Sequence, residues 1–239
     1  MNQARVVDIN RYYRLGGVDW DKVALNFDAV GICAGVGIEM DYLLSEHVAG
    51  CKAIHMPYFT YHIPDRAYSM ARNADFYAVM PGVKEAIMVA DIESPKNGSK
   101  CVTSGEAQAY VNHLATLTLR HPWHYTNPAT LDTLSWPAWI GSAPIWIAQY
   151  PWQPYTVLKY TGYETFLKRW AGLAPTRLAK SIYKNAVVLW QFTDKGEAPK
   201  LCAKKPADPR FPKAIQGADL NVSTIERDIF LDMLRINYA

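Results

Sequence analysis

Short runs of apolar residues recur along the 239-residue chain, and each of them ends in polar residues. Several runs, such as residues 86–90 and 186–190, are apolar almost throughout, which is typical of strands buried on both faces of a parallel sheet. The pattern predicts eight strands: residues 6–10, 27–33, 54–62, 86–93, 123–126, 144–150, 187–192 and 218–221.

Apolar residues at helical spacing separate many of these runs. The predicted helices are residues 41–52, 65–80, 103–120 and 223–236. The third begins with Thr103 and Glu106, which have the spacing of a capping box. Strands that alternate with helices indicate β/α units, and eight strands in a chain of this size favour a closed barrel over an open sheet. In the second half, residues 163–183 look like a helical insertion and residues 195–213 like a surface loop.

Composition narrows the class of protein further. Half of the residues are apolar and 20% are charged, with both signs interspersed, which excludes a disordered chain and a coiled coil. The length suits one large domain over residues 1–239.

No apolar run approaches the ~20 residues of a membrane helix, and no apolar core of a secretion signal follows the first residues. A net charge of +3 is too small to indicate a nucleic-acid partner. Cys33 and Cys51 stand in apolar contexts and are predicted to be buried thiols.

Polar and aromatic residues end most of the predicted strands. In a β/α barrel the active site lies at the carboxyl ends of the strands, so these side chains are expected to converge on one mouth. The acidic residues at strand ends are Asp8, Asp91, Glu93 and Asp219. The residues expected around them are Tyr61, Tyr125, Tyr150, Trp190, Gln191 and Asn221. Four carboxylates in one mouth, ringed by aromatic side chains, favour an enzyme.

Asp91 and Glu93 lie two residues apart on one predicted strand, so their side chains point to the same face. Their Cα atoms should be about 6.6 Å apart. Neighbouring carboxylates repel each other, so the pKa of at least one should rise. Glycoside hydrolysis uses one protonated carboxyl group beside one ionised carboxylate. The spacing leaves open whether the anomeric configuration would be retained or inverted.

Seven short segments add a more specific signal. They are residues 7–10 with 18–20, then 59–62, 88–93, 123–127, 145–150, 190–193 and 218–221. In this order they resemble the glycoside hydrolase family 25 lysozymes, the N-acetylmuramidases common as phage endolysins and autolysins. The resemblance covers about residues 5–222. It implies an irregular TIM-like β/α barrel with eight strands and fewer than eight helices.

The resemblance also implies a reaction: cleavage of the β-1,4 bond between N-acetylmuramic acid and N-acetylglucosamine in peptidoglycan. It places Glu93 at the general acid and Asp91 at a partner that assists the substrate's acetamido group or a water. Asp8 and Asp219 match the two flanking acids. Tyr61, Tyr125 and Gln191 match positions that line the sugar subsite. Two further aromatic side chains, Tyr150 and Trp190, are expected to stack on sugar rings. No metal and no organic cofactor are implied.

One segment departs from the family pattern. After the second strand the family usually has Thr-Glu-Gly or Ser-Glu-Gly, whereas residues 33–37 read Cys-Ala-Gly-Val-Gly and the next acid is Glu39. A substrate contact there is expected to be lost or moved. Two alternatives therefore stay open: a glycan-binding barrel that has lost catalysis, and a hydrolase of another amino-sugar polymer such as chitin.

The remaining expectations concern the setting of the protein. The expected partner is the glycan strand of bacterial peptidoglycan, with no nucleic acid and no membrane, and a monomer is favoured. With no secretion signal in view, the chain would be made in the cytoplasm and act at the cell wall through phage lysis or delivery in a virion. No separate wall-binding domain is expected, and residues 223–239 are expected to form a final helix.

Overall fold

The computed structural model of the chain describes residues 2–11, 17–93, 102–150, 183, 185–196 and 218–235. Its strands are β1 Arg5–Ile9, β2 Ala29–Val36, β3 Glu39–Met40, β4 Tyr58–Ile63, β5 Ile87–Asp91, β6 Trp123–Thr126, β7 Ile145–Ala148, β8 Val187–Gly196 and β9 Ala218–Ser223. Its helices are α1 Trp20–Asn26, α2 Leu44–Ala53, α3 Met70–Ala78, α4 Ser104–Thr118, α5 Pro128–Thr133 and α6 Arg227–Arg235, with a 3₁₀ turn over Ala138–Ser142.

Eight strands close into a barrel, and this confirms the predicted fold class. β1 pairs with β2 on one side and with β9 on the other, and the remaining strands complete the ring. The strands of this ring run parallel except β9, which is antiparallel to both β1 and β8. All eight predicted strands are present, with ends that differ by a few residues. The ninth strand, β3, was not predicted, because it is a two-residue hairpin partner of the end of β2.

The four predicted helices are also present, each shorter than its pattern. The capping box is confirmed: the Thr103 hydroxyl accepts from the Glu106 backbone N–H at 3.2 Å, and a Glu106 carboxylate oxygen accepts from the Thr103 N–H at 2.7 Å. Two short helices, α1 and α5, were not predicted. The predicted helix 163–183 lies outside the described residues apart from residue 183. The predicted loop 195–213 lies outside them too, except that residues 195–196 belong to β8.

Two apolar clusters hold the barrel together. The outer cluster fills the space between the strands and the surrounding helices. The inner cluster fills the barrel itself with large rings, among them Phe59, Trp123 and Trp146, and Phe230 of α6 packs against them. Cys33 and Cys51 are buried free thiols, as predicted. In the described part of the chain, no helix has the length and apolar character needed to span a membrane.

Candidate active site

The inward-facing side chains near the carboxyl ends of the strands bring most of the predicted site residues together. Because β9 runs antiparallel, its first residues arrive at the same end of the barrel as the last residues of β1. Asp219 therefore lies directly opposite Asp8 in the β1–β9 register. Asp91 lies opposite Tyr125 where β5 meets β6. Asp8, Asp219, Asp91 and Glu93 all act electrostatically on the tyrosines of this mouth.

Asp8 is a buried acid of this mouth, 3% exposed. Its Oδ2 accepts hydrogen bonds from Asn221 Nδ2 at 2.9 Å and from Gln191 Nε2 at 3.1 Å. Asp219 lies opposite it in the strand register. Burial raises the pKa of Asp8 from 3.8 to about 6; the interactions with Asn221, Gln191 and Asp219 oppose this shift, and the charge of Glu93 adds to it.

The two amides that hold Asp8 are themselves held by aromatic donors. Gln191 Oε1 accepts from the hydroxyls of Tyr125 at 3.1 Å and Tyr150 at 3.2 Å. Asn221 Oδ1 accepts from Trp146 Nε1 at 2.7 Å. Since only the oxygen of an amide can accept these hydrogen bonds, the nitrogen of each amide must face Asp8. The network therefore has one consistent direction of donation, and it ends on the carboxylate.

Trp146 belongs to the core and is 2% exposed. The structure adds a polar role, because a buried indole N–H needs an acceptor and Asn221 supplies it. The ring also contacts Tyr61 and Tyr125 edge-on, with centroids 5.6 Å and 4.4 Å away. Burial raises the pKa of both tyrosines well above the ordinary value, so both phenols keep their protons.

Asp91 and Glu93 stand together at the end of β5. Asp91 is buried, whereas Glu93 is half-buried and accessible from the mouth. Between them Ile92 points away from the barrel interior into the outer cluster, as strand alternation requires. Asn127 Nδ2 donates to Glu93 Oε2 at 3.4 Å, while Asn127 Oδ1 caps α5 by accepting from the Thr130 N–H at 2.9 Å.

Asn127 is a site residue that the sequence reasoning missed. A signal was present, because Asn followed by Pro128 is a typical start of a helix. The short α5 was not predicted, so its cap was not placed beside Glu93.

The structure does not bring Trp190 into the mouth, which corrects the sequence-based placement. Gln191 faces the interior, so its neighbour Trp190 faces the outer cluster, where it is buried and donates to the Gln149 carbonyl at 2.6 Å. His62 also points outward. It lies between Tyr110, whose hydroxyl is 2.8 Å from Nδ1, and the Gly37 carbonyl, 2.9 Å from Nε2, and burial lowers its pKa to about 4.

The segment that departs from the family pattern forms the β2–β3 hairpin. The acids that follow it bind the end of β1: Glu39 accepts from Arg11 Nη1 at 2.6 Å, and Asp41 accepts from the backbone N–H groups of Arg11 and Leu43 at 2.7 Å and 2.9 Å. Burial raises the pKa of Asp41. Both acids thus anchor the rim of the barrel. Within the described ranges, no three His, Cys, Asp or Glu side chains are grouped as a metal site would require.

Comparisons with known proteins agree with this architecture. A sequence profile of Glycosyl hydrolases family 25 matches residues 7–201. A search of curated protein sequences gives no match. A bacterial lysozyme from Streptomyces coelicolor has a similar structure, with a TM-score of 0.70 and 18% identity over 99% of this chain and 98% of that one. A muramidase from Acremonium alcalophilum gives a TM-score of 0.68 and 19% identity over 96% and 98% of the two chains.

The catalytic domain of endolysin ply40, from a bacteriophage of Listeria monocytogenes, gives a TM-score of 0.62 and 18% identity over 99% of this chain and 98% of that one. Identities this low establish a shared fold, and the profile match over most of the chain establishes the family. The chain therefore belongs to glycosyl hydrolase family 25 and is a glycoside hydrolase.

Proposed function

We propose that the protein hydrolyses peptidoglycan at the β-1,4 bond between N-acetylmuramic acid and N-acetylglucosamine. The observation that carries this proposal is the meeting of Asp8, Asp91, Glu93 and Asp219 at the open end of a family 25 barrel. The proteins of similar structure are named as lysozymes and muramidases, which supports the same substrate.

Glu93 is our candidate for the general acid. It is the more accessible member of the Asp91–Glu93 pair, so a glycosidic oxygen can reach it, and the Asn127 amide orients one of its oxygens. Repulsion between Glu93 and Asp8 favours a proton on one of the two groups. Protonation of the leaving oxygen by Glu93 would start the bond cleavage.

Asp91 would act on the group that attacks the anomeric carbon. We favour a mechanism in which the substrate's acetamido group attacks the anomeric carbon and Asp91 stabilises it, one of the known exceptions to the two-carboxylate scheme. Direct attack by a water activated by Asp91 is the rival mechanism. Proton NMR of the first-formed anomer separates the two, because acetamido participation retains the configuration and direct attack inverts it.

The proposed function is tested with Glu93→Gln, which keeps the size of the side chain and removes its acid. We expect the release of reducing sugars from purified cell walls to fall at least about 100-fold, the usual contribution of a general acid. The circular dichroism spectrum and unfolding midpoint should stay near those of the parent protein. Glu46→Gln is the matched control, because Glu46 is exposed on α2, and its activity should be unchanged.

Other outcomes would point elsewhere. Release of new amines instead of reducing sugars would exclude muramidase activity. Binding to cell walls without turnover would support the glycan-binding alternative, and faster turnover of chitin in a parallel assay would identify a different amino-sugar substrate.

A further inference from the structure

Asp8 and Asp219 form an unusual pair. They face each other directly across the antiparallel β1–β9 ladder, a position in which the Cβ atoms of paired residues are about 5 Å apart. Asp8 is 3% exposed, so little water reaches its carboxyl group. Two ionised carboxylates held opposite each other in such a place repel, which favours a single proton shared between them.

The surrounding amides determine where that proton can lie. Asn221 and Gln191 both donate to the same oxygen of Asp8, Oδ2. A proton on Oδ2 would point at two N–H groups, so the shared proton belongs on Oδ1 of Asp8 or on Asp219. The orientation of both amides is fixed in turn by their acceptor oxygens, which bind Trp146, Tyr125 and Tyr150.

Asn221 is placed for this task and not for contact with a substrate. It is 0% exposed, and besides Asp8 its Nδ2 lies 3.3 Å from the Val6 carbonyl oxygen. We infer that Asp8 and Asp219 share one proton, and that Asn221 and Gln191 are positioning residues that fix which oxygens carry it. The pair then presents one negative charge, instead of two, to a substrate opposite Glu93. This charge would stabilise the positive charge that develops on the sugar in the transition state.

The groups that face the pair are compatible with this arrangement. Glu93 and Asp91, at the end of β5, are both acidic, and the charge of Glu93 disfavours ionisation of Asp8. Tyr61 on β4 and Tyr125 on β6 stay protonated because they are buried. Burial likewise raises the pKa of the Cys33 thiol on β2, so it too is neutral. The raised pKa of Asp8, about 6, agrees with a proton held by the pair below that pH.

The inference is tested by following the carboxyl carbons of Asp8 and Asp219 by ¹³C NMR in the intact protein, with resonances assigned from Asp8→Asn and Asp219→Asn. We expect the two groups to titrate together in two well-separated steps, as a coupled pair does. Asn221→Asp replaces a donor by an acceptor of equal size. In this variant the pH at which the pair loses its shared proton should rise by about one unit or more. Gln191→Glu tests the second donor in the same way, and it keeps the test available if the first variant does not fold.

Asn26→Asp is the matched control, because this α1 amide donates to the Lys22 carbonyl in its own helix, and the change should leave the titration unchanged. The kinetic part of the inference rests on the proposed function. In a plot of kcat/KM against pH, the limb that reports loss of the shared proton should shift together with the NMR titration. A purely structural role would lower stability and activity at every pH without moving that limb. Independent titration of both acids near their ordinary pKa would overturn the inference. Failure to cleave any glycan would overturn the proposed function alone, because the NMR titration needs no turnover.

Discussion

At the scale of single residues, Asp8 shows how a site can work against the stability of its own fold. The carboxylate is buried, is held by the amides of Asn221 and Gln191, and lies opposite a second acid, Asp219, in the strand register. Amide dipoles compensate a buried charge less well than water does, so the folded state favours protonated Asp8. Its pKa of about 6, against 3.8 for an ordinary Asp, expresses this preference.

The sign of the resulting pH dependence follows from linkage. The folded state holds the Asp8 proton more tightly than the unfolded state, so this group's contribution to the free energy of unfolding falls as the pH rises from about 4 to about 6. Asp8→Asn removes the ionisation. We expect the variant to gain up to roughly 3 kcal/mol on the wild type at pH 7.5, and much less at pH 4.5. Urea unfolding at both pH values measures this difference, and an equal effect at the two pH values would contradict it.

At the scale of elements, strand alternation explains both what the sequence could predict and what it could not. Strands such as β5 were predicted because they are apolar on both faces, and that same property hides which face points inward. Trp190 was therefore placed on the wrong face, and the hydrogen bond from Gln191 to Asp8 shows which face of β8 points inward. An apolar pattern does not show in which direction a strand runs. The antiparallel direction of β9, and with it the pairing of Asp8 with Asp219 across the strands, could therefore not be predicted.

The short elements escaped prediction for a different reason. The two residues of β3 and the six residues of α5 span too little chain for a period to be recognised. Yet these elements carry functional contacts: α5 is capped by Asn127, which binds Glu93, and β3 supplies Glu39, which binds Arg11. The long strands, their terminal acids and the amides Gln191 and Asn221 beside Asp8 were predictable, whereas Asn127, which orients Glu93 from a short helix, was not.

The contact between β1 and β2 gives the prediction at this scale. Gly31 is the register partner of Asp8, and a Cβ atom at Gly31 would lie 2.7 Å from the Phe59 ring and 3.0 Å from Asp8 Cβ. Gly31→Ala should therefore lower the free energy of unfolding by about 1–3 kcal/mol, the usual effect of overpacking, and reduce activity by displacing Asp8.

Gly105→Ala is the control for this change, measured by the same denaturant titration and cell-wall assay. Gly105 lies in α4, and a Cβ there would meet no atom within 4 Å. Alanine at that position should stabilise the protein by roughly 0.5–1 kcal/mol without changing activity. If Gly31→Ala were as well tolerated, the close packing behind Asp8 would not be needed.

At the scale of the whole molecule, the two ends of the barrel have different tasks. The carboxyl ends of the parallel strands carry the acids, while α6 packs apolar residues, including Phe230, into the inner cluster together with Ala4 and Trp123. Arg227 of the same helix binds Asp28 at 2.7 Å, and Asp28 also accepts from the Arg5 backbone N–H at 2.8 Å. The final described helix is thus tied to the first strand.

We expect Phe230→Ala to lower the free energy of unfolding by about 3–5 kcal/mol, because it leaves a cavity next to Trp123. The pH profile of the remaining folded enzyme should be unchanged, since the removed ring is far along the barrel from the acids. Ile229→Ala is the matched control: the neighbouring side chain is 57% exposed, so its loss should cost well under 1 kcal/mol. A shifted pH profile in Phe230→Ala would show that the two ends of the barrel are coupled.

The hydrogen bond from Asn221 to Asp8 joins residues 213 positions apart in the chain. During synthesis the first strand leaves the ribosome long before the last, so the Asp8 site stays incomplete until β9 has been made. A chain that ends before β9 lacks both the partner acid Asp219 and the amide of Asn221. The Asp8 site is therefore complete only when β9 has paired with β1 and closed the ring of strands.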